Sequence, residues 1–144
     1  MSCEGRLAEL SMVEAINDAF HVELARDDSV LVMGEDVGRA GGVFRATAGL
    51  RERFGADRCV DTPLAEAGIL GTAIGLCMAG WRPVTEMQYD AFSYPCLDQL
   101  ITHVGRYRWR RPASSAPRWV SAWRGGALSA RCSTTRSRIR ASTS

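Results

Sequence analysis

Residues 58–87 read Arg58-Cys-Val-Asp-Thr-Pro-Leu-Ala-Glu-Ala-Gly-Ile-Leu-Gly-Thr-Ala-Ile-Gly-Leu-Cys-Met-Ala-Gly-Trp-Arg-Pro-Val-Thr-Glu-Met87. Two short strand-like segments, Arg58–Asp61 and Arg82–Met87, bracket eighteen residues from Pro63 to Gly80 whose only clearly polar side chains are Glu66 and Thr72. A helix apolar on every side is a buried helix. Thr62 and Pro63 suit the cap and first position of that helix, with Gly80 as its left-handed stop. Strand, helix and strand in this order predict a parallel crossover.

The same alternation extends outward. Ser11-Met-Val-Glu14 is a capping box. Behind it Met12, Ala15, Ile16, Ala19, Phe20 and Leu24 recur at helical spacing to about Arg26. Val30-Leu-Val-Met33 reads as a buried strand, followed by the loop Gly34–Gly38 and the glycine-rich Arg39-Ala-Gly-Gly-Val-Phe44. Ala48–Phe54 reads as a short helix closed by Gly55. A last helix opens at Ser93-Tyr-Pro95 and runs to about Trp109, with Leu97, Leu100, Ile101, Val104 and Tyr107 as its apolar stripe. The expected fold is α/β, a parallel sheet flanked by helices. In such sheets ligands sit at the carboxyl ends of strands. Those ends carry Glu35, the segment Asp61–Glu66, and Gln88 through Phe92.

Glu66 is the residue that folding alone does not explain. A buried carboxylate without a partner costs several kcal/mol or gives up its charge. A first-turn acid gains only about 0.3–1 kcal/mol from the helix dipole, and an all-apolar helix leaves little wet surface for one. Glu66 is therefore read as functional. Gly68, Gly71 and Gly75 repeat along the same helix; each costs about 1 kcal/mol against alanine, which favours a close approach by another helix or a second subunit.

Composition limits the alternatives. The chain has 144 residues, room for one ordinary domain. It lacks an apolar segment long enough to span a bilayer and an apolar N-terminal signal. Five cysteines without a Cys-x-x-Cys read as reduced thiols in a cytoplasmic protein. The net charge of +2 conceals two parts. Up to Gly105 there are 8 Arg against 16 acids, a balance of −8; from Arg106 onward there are 10 Arg and no acid, a balance of +10. Residues 111–144 hold 7 Arg and 8 Ser with no helical or strand period. They are read as the out-of-frame product of GC-rich DNA, the alternative being a basic tail for nucleic acid. The expected organisation is a partial domain over 1–110 and a tail over 111–144.

Other motifs are set aside. Gly38-x-x-Gly41-Gly42 matches neither a dinucleotide fingerprint nor a P-loop. His21 and His103 lie far apart on separate helices with no metal-ligand spacing, and no Gly-x-Ser-x-Gly is present.

In order, Gly34-Glu-Asp-Val, Gly41-Gly-Val-Phe44, Asp61-Thr-Pro-Leu-Ala-Glu-Ala-Gly68, Gly80-x-Arg-Pro83, Glu86-x-Gln88 and Asp98-Gln99 resemble the beta subunit of the thiamin-diphosphate-dependent 2-oxoacid dehydrogenases. The resemblance runs from about Met12 to Arg110. It implies an incomplete transketolase-like pyrimidine-binding domain. By the same resemblance Glu66 bonds the cofactor's pyrimidine N1′, favouring the imino tautomer that takes the thiazolium C2 proton. Leu64, Gln88 and Phe92 complete the pyrimidine pocket, with Phe92 stacked on the ring and Glu35 orienting Glu66. The diphosphate and its magnesium fall to a partner alpha subunit, so no metal ligand is expected here. The implied partners are that alpha subunit, in an α2β2 heterotetramer, and a dihydrolipoyl acyltransferase core. The implied reaction is oxidative decarboxylation of a 2-oxoacid with acyl transfer to lipoamide, branched-chain substrates favoured over pyruvate. The family's assisting beta-subunit histidines fall where this chain has its Arg/Ser tail, so the chain alone is expected to be inactive. The competing reading is a non-catalytic α/β module with a nucleic-acid-binding tail.

Overall fold

The computed structural model describes residues 10–110 and 120–123, with backbone alone at 90, 108–110 and 120–123. Helix α1 (Met12–Arg26) starts on the expected capping box: Ser11 Oγ accepts from the Glu14 amide at 3.3 Å, and Glu14 Oε2 accepts from the Ser11 amide at 2.8 Å. Strand β1 (Val30–Gly34) is buried throughout. Helix α2 (Leu50–Phe54), strand β2 (Cys59–Asp61), helix α3 (Glu66–Met78) and strand β3 (Arg82–Met87) follow. The described strands form one parallel sheet ordered β2-β1-β3-β4, where β4 is Val120–Trp123.

Strand β1 is covered on both faces, as its unbroken apolar run predicts. Leu31 and Met33 join Ile69, Leu70, Ala73 and Cys77 of α3 in one core cluster. Val30 and Val32 point the other way, into a second cluster with Phe20 and Leu24 of α1 and Leu50 of α2. Period-two alternation of a central strand thus feeds two helical layers.

Three expectations are corrected. Helix α3 begins at Glu66, with Ala65 at its cap, rather than at Pro63. The Thr62 amide donates to Gly34 O at 2.9 Å, which extends the β1–β2 pairing to residue 62, and Thr62 Oγ1 has no partner among the described residues. Its other end is as read: the Gly80 amide donates to Cys77 O and the Trp81 amide to Leu76 O, with Gly80 at φ +97°, the paired bonds of a Schellman stop. Second, α3 is not enclosed by the described residues. Ile69, Leu70, Ala73 and Cys77 are buried, whereas Ala67, Gly68, Thr72, Gly75 and Met78 are exposed. Small side chains read as apolar without obliging burial. Third, the single terminal helix is three segments: a 3-10 stretch (Asp90–Cys96) holding Pro95, a π stretch (Gln99–Val104), and α4 (Gly105–Arg110). Pro95 has no amide to donate, and wide π turns change the helical phase. Ile101 accordingly leaves the apolar stripe and is 58% exposed, while Leu100 and Val104 pack on the first cluster.

Residues 120–123 add a strand to a segment in which the sequence shows no strand period; the rest of the predicted tail lies outside the described residues. Among the described residues no helix is long and apolar enough to cross a membrane.

Candidate functional site at the carboxyl ends of the strands

Because β1, β2 and β3 are parallel, their carboxyl ends bring Glu35, Asp61–Thr62 and Gln88 to the same edge. Helix α3 starts there, so Glu66 joins them as its first residue.

Glu35 is buried, 7% exposed, and its Oε1 has no hydrogen-bond partner among the described residues. Its carboxyl group is pushed above the usual glutamate range, first by loss of water, then by the negative charges of Glu66 and Asp36. Glu66 itself is half-buried, not enclosed as the sequence predicts, because the outer face of α3 is open. The same side of the sheet holds the buried Cys96 thiol, raised by burial and further by Glu66. Cys96 Sγ donates to Ser93 O at 3.0 Å, which fixes the entry to the last helical segments.

The loop after β1 is held from several directions. Asp61 Oδ1 accepts from the Gly38 amide at 2.6 Å, and Oδ2 accepts from the Arg39 amide at 3.2 Å and Arg51 at 2.9 Å. Thr47 Oγ1 donates to Val37 O at 2.8 Å, and Asn17 Nδ2 donates to Ala46 O and Ala48 O. The turn itself passes through Gly41 and Gly42, at φ +73° and +75°, a region glycine enters without steric cost. A Cβ on Gly42 would lie 3.1 Å from Thr47 Oγ1 and 3.4 Å from Glu86 Oε1. The turn therefore sits directly against the buried Glu86 of β3.

Gln88 is half-buried immediately after β3. Phe92 lies on the following 3-10 stretch, 39% exposed. Leu64 is 79% exposed among the described residues. Sequence reading did not pick out Tyr89 or the aromatic partnership it makes. Tyr89 stands edge-on to Phe44 (centroids 5.5 Å apart, 71°) and to Phe92 (5.3 Å, 77°). The usable signal was an aromatic ending each of two segments that leave neighbouring strands.

The arrangement suits a planar heterocycle carrying both donors and acceptors. Glu35 and Glu66 stand at the same sheet edge as Gln88 and the segment that bears Phe92, and Glu35 Oε1 and Thr62 Oγ1 are buried polar atoms without partners among the described residues. An aminopyrimidine offers matching groups, so the residues present fit the ring of thiamin diphosphate. Among the described residues no group of three or more His, Cys, Asp or Glu could hold a metal ion. The nucleic-acid reading rested on 111–144, of which only 120–123 are described.

A family model described as transketolase, pyrimidine binding domain, matches residues 8–114. The 3-methyl-2-oxobutanoate dehydrogenase subunit beta of Mycobacterium tuberculosis (strain CDC 1551 / Oshkosh) is 56% identical over 101 residues, covering 70% of this chain and 29% of that protein. The pyruvate dehydrogenase E1 component subunit beta of Bacillus subtilis (strain 168) is 50% identical over 115 residues, 80% of this chain and 34% of the relative. The 2-oxoisovalerate dehydrogenase subunit beta of the same organism is 50% identical over 104 residues, 72% and 32% respectively. The chain thus spans about a third of the length of these curated relatives.

Proposed function

Since the chain belongs to the transketolase pyrimidine-binding domain family, we propose that it is the pyrimidine-binding part of the beta subunit of a thiamin-diphosphate-dependent 2-oxoacid dehydrogenase. The observation that carries this reading is the placement of buried Glu35 and of Glu66 at the same carboxyl edge of a parallel sheet. The proposed reaction is oxidative decarboxylation with acyl transfer to lipoamide. Branched-chain substrates are favoured by Gln88 and the Leu64–Glu66 context. The relatives are named for both branched-chain and pyruvate enzymes, so the substrate assignment rests on those residues alone.

When bound, thiamin diphosphate supplies the carbanion chemistry that decarboxylation needs. This chain's residues bind and orient its ring. Glu66 would hold the pyrimidine nitrogen N1′ and share a proton there. Glu35, kept protonated to higher pH than an ordinary glutamate by burial and neighbouring negative charge, would orient the Glu66 carboxylate. Gln88 borders the ring, and Phe92 offers a face for stacking. Leu64 and the open side of α3 await coverage from elsewhere.

That incompleteness supports a partner. The proposed assembly is an α2β2 heterotetramer bound to a dihydrolipoyl acyltransferase core, with the alpha subunit holding the diphosphate and magnesium. A cytoplasmic setting is part of the proposal; the buried Cys59 and Cys96 thiols, both raised by burial, suit a reducing compartment.

The test is calorimetric titration of thiamin diphosphate with magnesium into the chain mixed with alpha subunit. Wild-type chain should bind, and Glu66→Ala should weaken binding by about tenfold or more, the scale of a lost charge-assisted hydrogen bond. Equal affinity for both chains would overturn the reading. The 144-residue chain without a partner should show no decarboxylase activity.

A further inference from the structure

The glycine-rich segment ending at Phe44 has no part in the chemistry above, yet the fold commits many contacts to placing it. Gly41 and Gly42 turn the chain through positive φ. The Gly42 amide donates to Asp36 O at 2.9 Å, the Arg45 amide to Gly42 O at 3.0 Å, and the Thr47 amide to Gly41 O at 3.1 Å. These bonds aim Phe44 at the loop leaving β3, where it meets Tyr89. Tyr89 is the extended residue that precedes the 3-10 stretch, and its carbonyl accepts from the Phe92 amide at 3.1 Å. Its ring therefore touches Phe92 through space while its backbone holds Phe92 through the chain.

Two edge-to-face contacts run in series, Phe44 to Tyr89 and Tyr89 to Phe92. A near-perpendicular contact with Tyr89 engages at most one face of Phe92. Tyr89 and Phe92 are 48% and 39% exposed, so burial alone does not fix their rotamers. An exposed phenylalanine ordinarily samples several rotamers. A ring that must stack on a ligand gains affinity when that freedom is removed beforehand.

We propose that Tyr89 is a positioning residue that, braced by Phe44 on the glycine-rich loop, holds the Phe92 ring in its stacking orientation before the ligand arrives. The proposal rests on the pyrimidine-binding reading for the ligand's identity, but not for the bracing itself.

The experiment uses the full chain carrying para-fluorophenylalanine. The sequence has four phenylalanines, few enough to assign each fluorine resonance by single substitution. The Phe92 resonance should lie away from the random-coil position in wild type. It should collapse towards that position in Tyr89→Leu and in Phe44→Leu, and stay put in Tyr89→Phe, which keeps the ring. The free aminopyrimidine alcohol corresponding to the cofactor's ring is the binding probe. It should shift the Phe92 resonance, with affinity about threefold to tenfold weaker in Tyr89→Leu and restored in Tyr89→Phe, as expected for aromatic pair contacts. Should Tyr89→Leu fail to fold by circular dichroism, Phe44→Leu tests the brace from the other end. A Phe92 resonance unchanged in both leucine variants overturns the proposal. A resonance that follows Tyr89 but ignores the probe upholds the brace and overturns the pyrimidine reading.

Discussion

At the amino edge of the sheet the described charged groups have partners. Arg58 donates to the carbonyls of Leu24, Asp27 and Val30 at 3.0, 2.8 and 2.5 Å. Asp27 takes hydrogen bonds from the Ser29 amide and hydroxyl, and an ion pair with Arg82 at 2.5 Å. At the carboxyl edge the Glu35 carboxyl is raised by loss of water and by the charges of Glu66 and Asp36, and Glu35 Oε1 and Thr62 Oγ1 are buried without partners among the described residues. Among the described residues one edge is finished for stability, and the other leaves polar groups unmet. Polar groups with unmet demands are the expected mark of a functional site.

The largest expected effect lies at the finished edge. Arg58→Ala strands three carbonyls and should destabilise the chain by about 3 kcal/mol in urea unfolding, the range for losing charged hydrogen bonds to backbone. A loss under about 1 kcal/mol would show that water replaces the guanidinium and would weaken the contrast.

The two edges should also respond to pH with opposite signs. Asp27 is lowered from 3.8 to about 2, first by the Ser29 hydroxyl and amide and then by Arg82. Its contribution is therefore complete above pH 3.8 and is lost as pH falls through about 2. Asp27→Asn should remove that dependence at a cost of about 1 kcal/mol near neutrality, after allowance for solvent screening. Glu35 is raised, so the folded chain binds its proton more tightly than the unfolded one. The associated stability is full below the ordinary glutamate range, 4.5, and is lost as pH rises through the folded value. Glu35→Gln should abolish that fall and leave the chain equally or more stable at neutral pH, at the expense of cofactor binding. Unfolding midpoints measured across pH 2–8 for both variants check the signs; curves of the same slope would dissolve the comparison. The smallest effect belongs to the exposed Arg26–Glu23 pair, 77% and 49% exposed. Glu23→Ala should change stability by less than about 0.5 kcal/mol, which calibrates the larger losses.

Much of the scaffold was legible because its signals are local. The capping box of α1, the unbroken run of β1, and β3 with its exact span each carry their own pattern in a few residues. The α3 start differs because the Thr62 amide bonds to Gly34 O and carries the strand pairing on to residue 62, a tertiary contact invisible in a capping motif. Its open face was misread because alanine and glycine count as apolar whether or not anything covers them. The strand Val120–Trp123 is too short to show a period, and only its pairing with β3 reveals it. At the site, Glu66 stood out as a lone acid in an apolar run, and Glu35 was expected beside it by resemblance. Tyr89 was not found, since its importance lies in two ring contacts, one of them to Phe44 across the fold.

The guanidinium of Arg58 reaches back 34 positions to Leu24, and this sets an order of events during synthesis. The first helix can form on its capping box as it leaves the ribosome. Its trailing end keeps only the local bonds of Asp27 with Glu23 and Ser29 until Arg58 emerges, so the long-range clasp on early helix and first strand waits on a residue translated later. Nascent chains stalled before residue 58 should be cut by protease near residue 26, and chains stalled well beyond it should resist. Equal protection at both lengths would mean that the helix secures its own end.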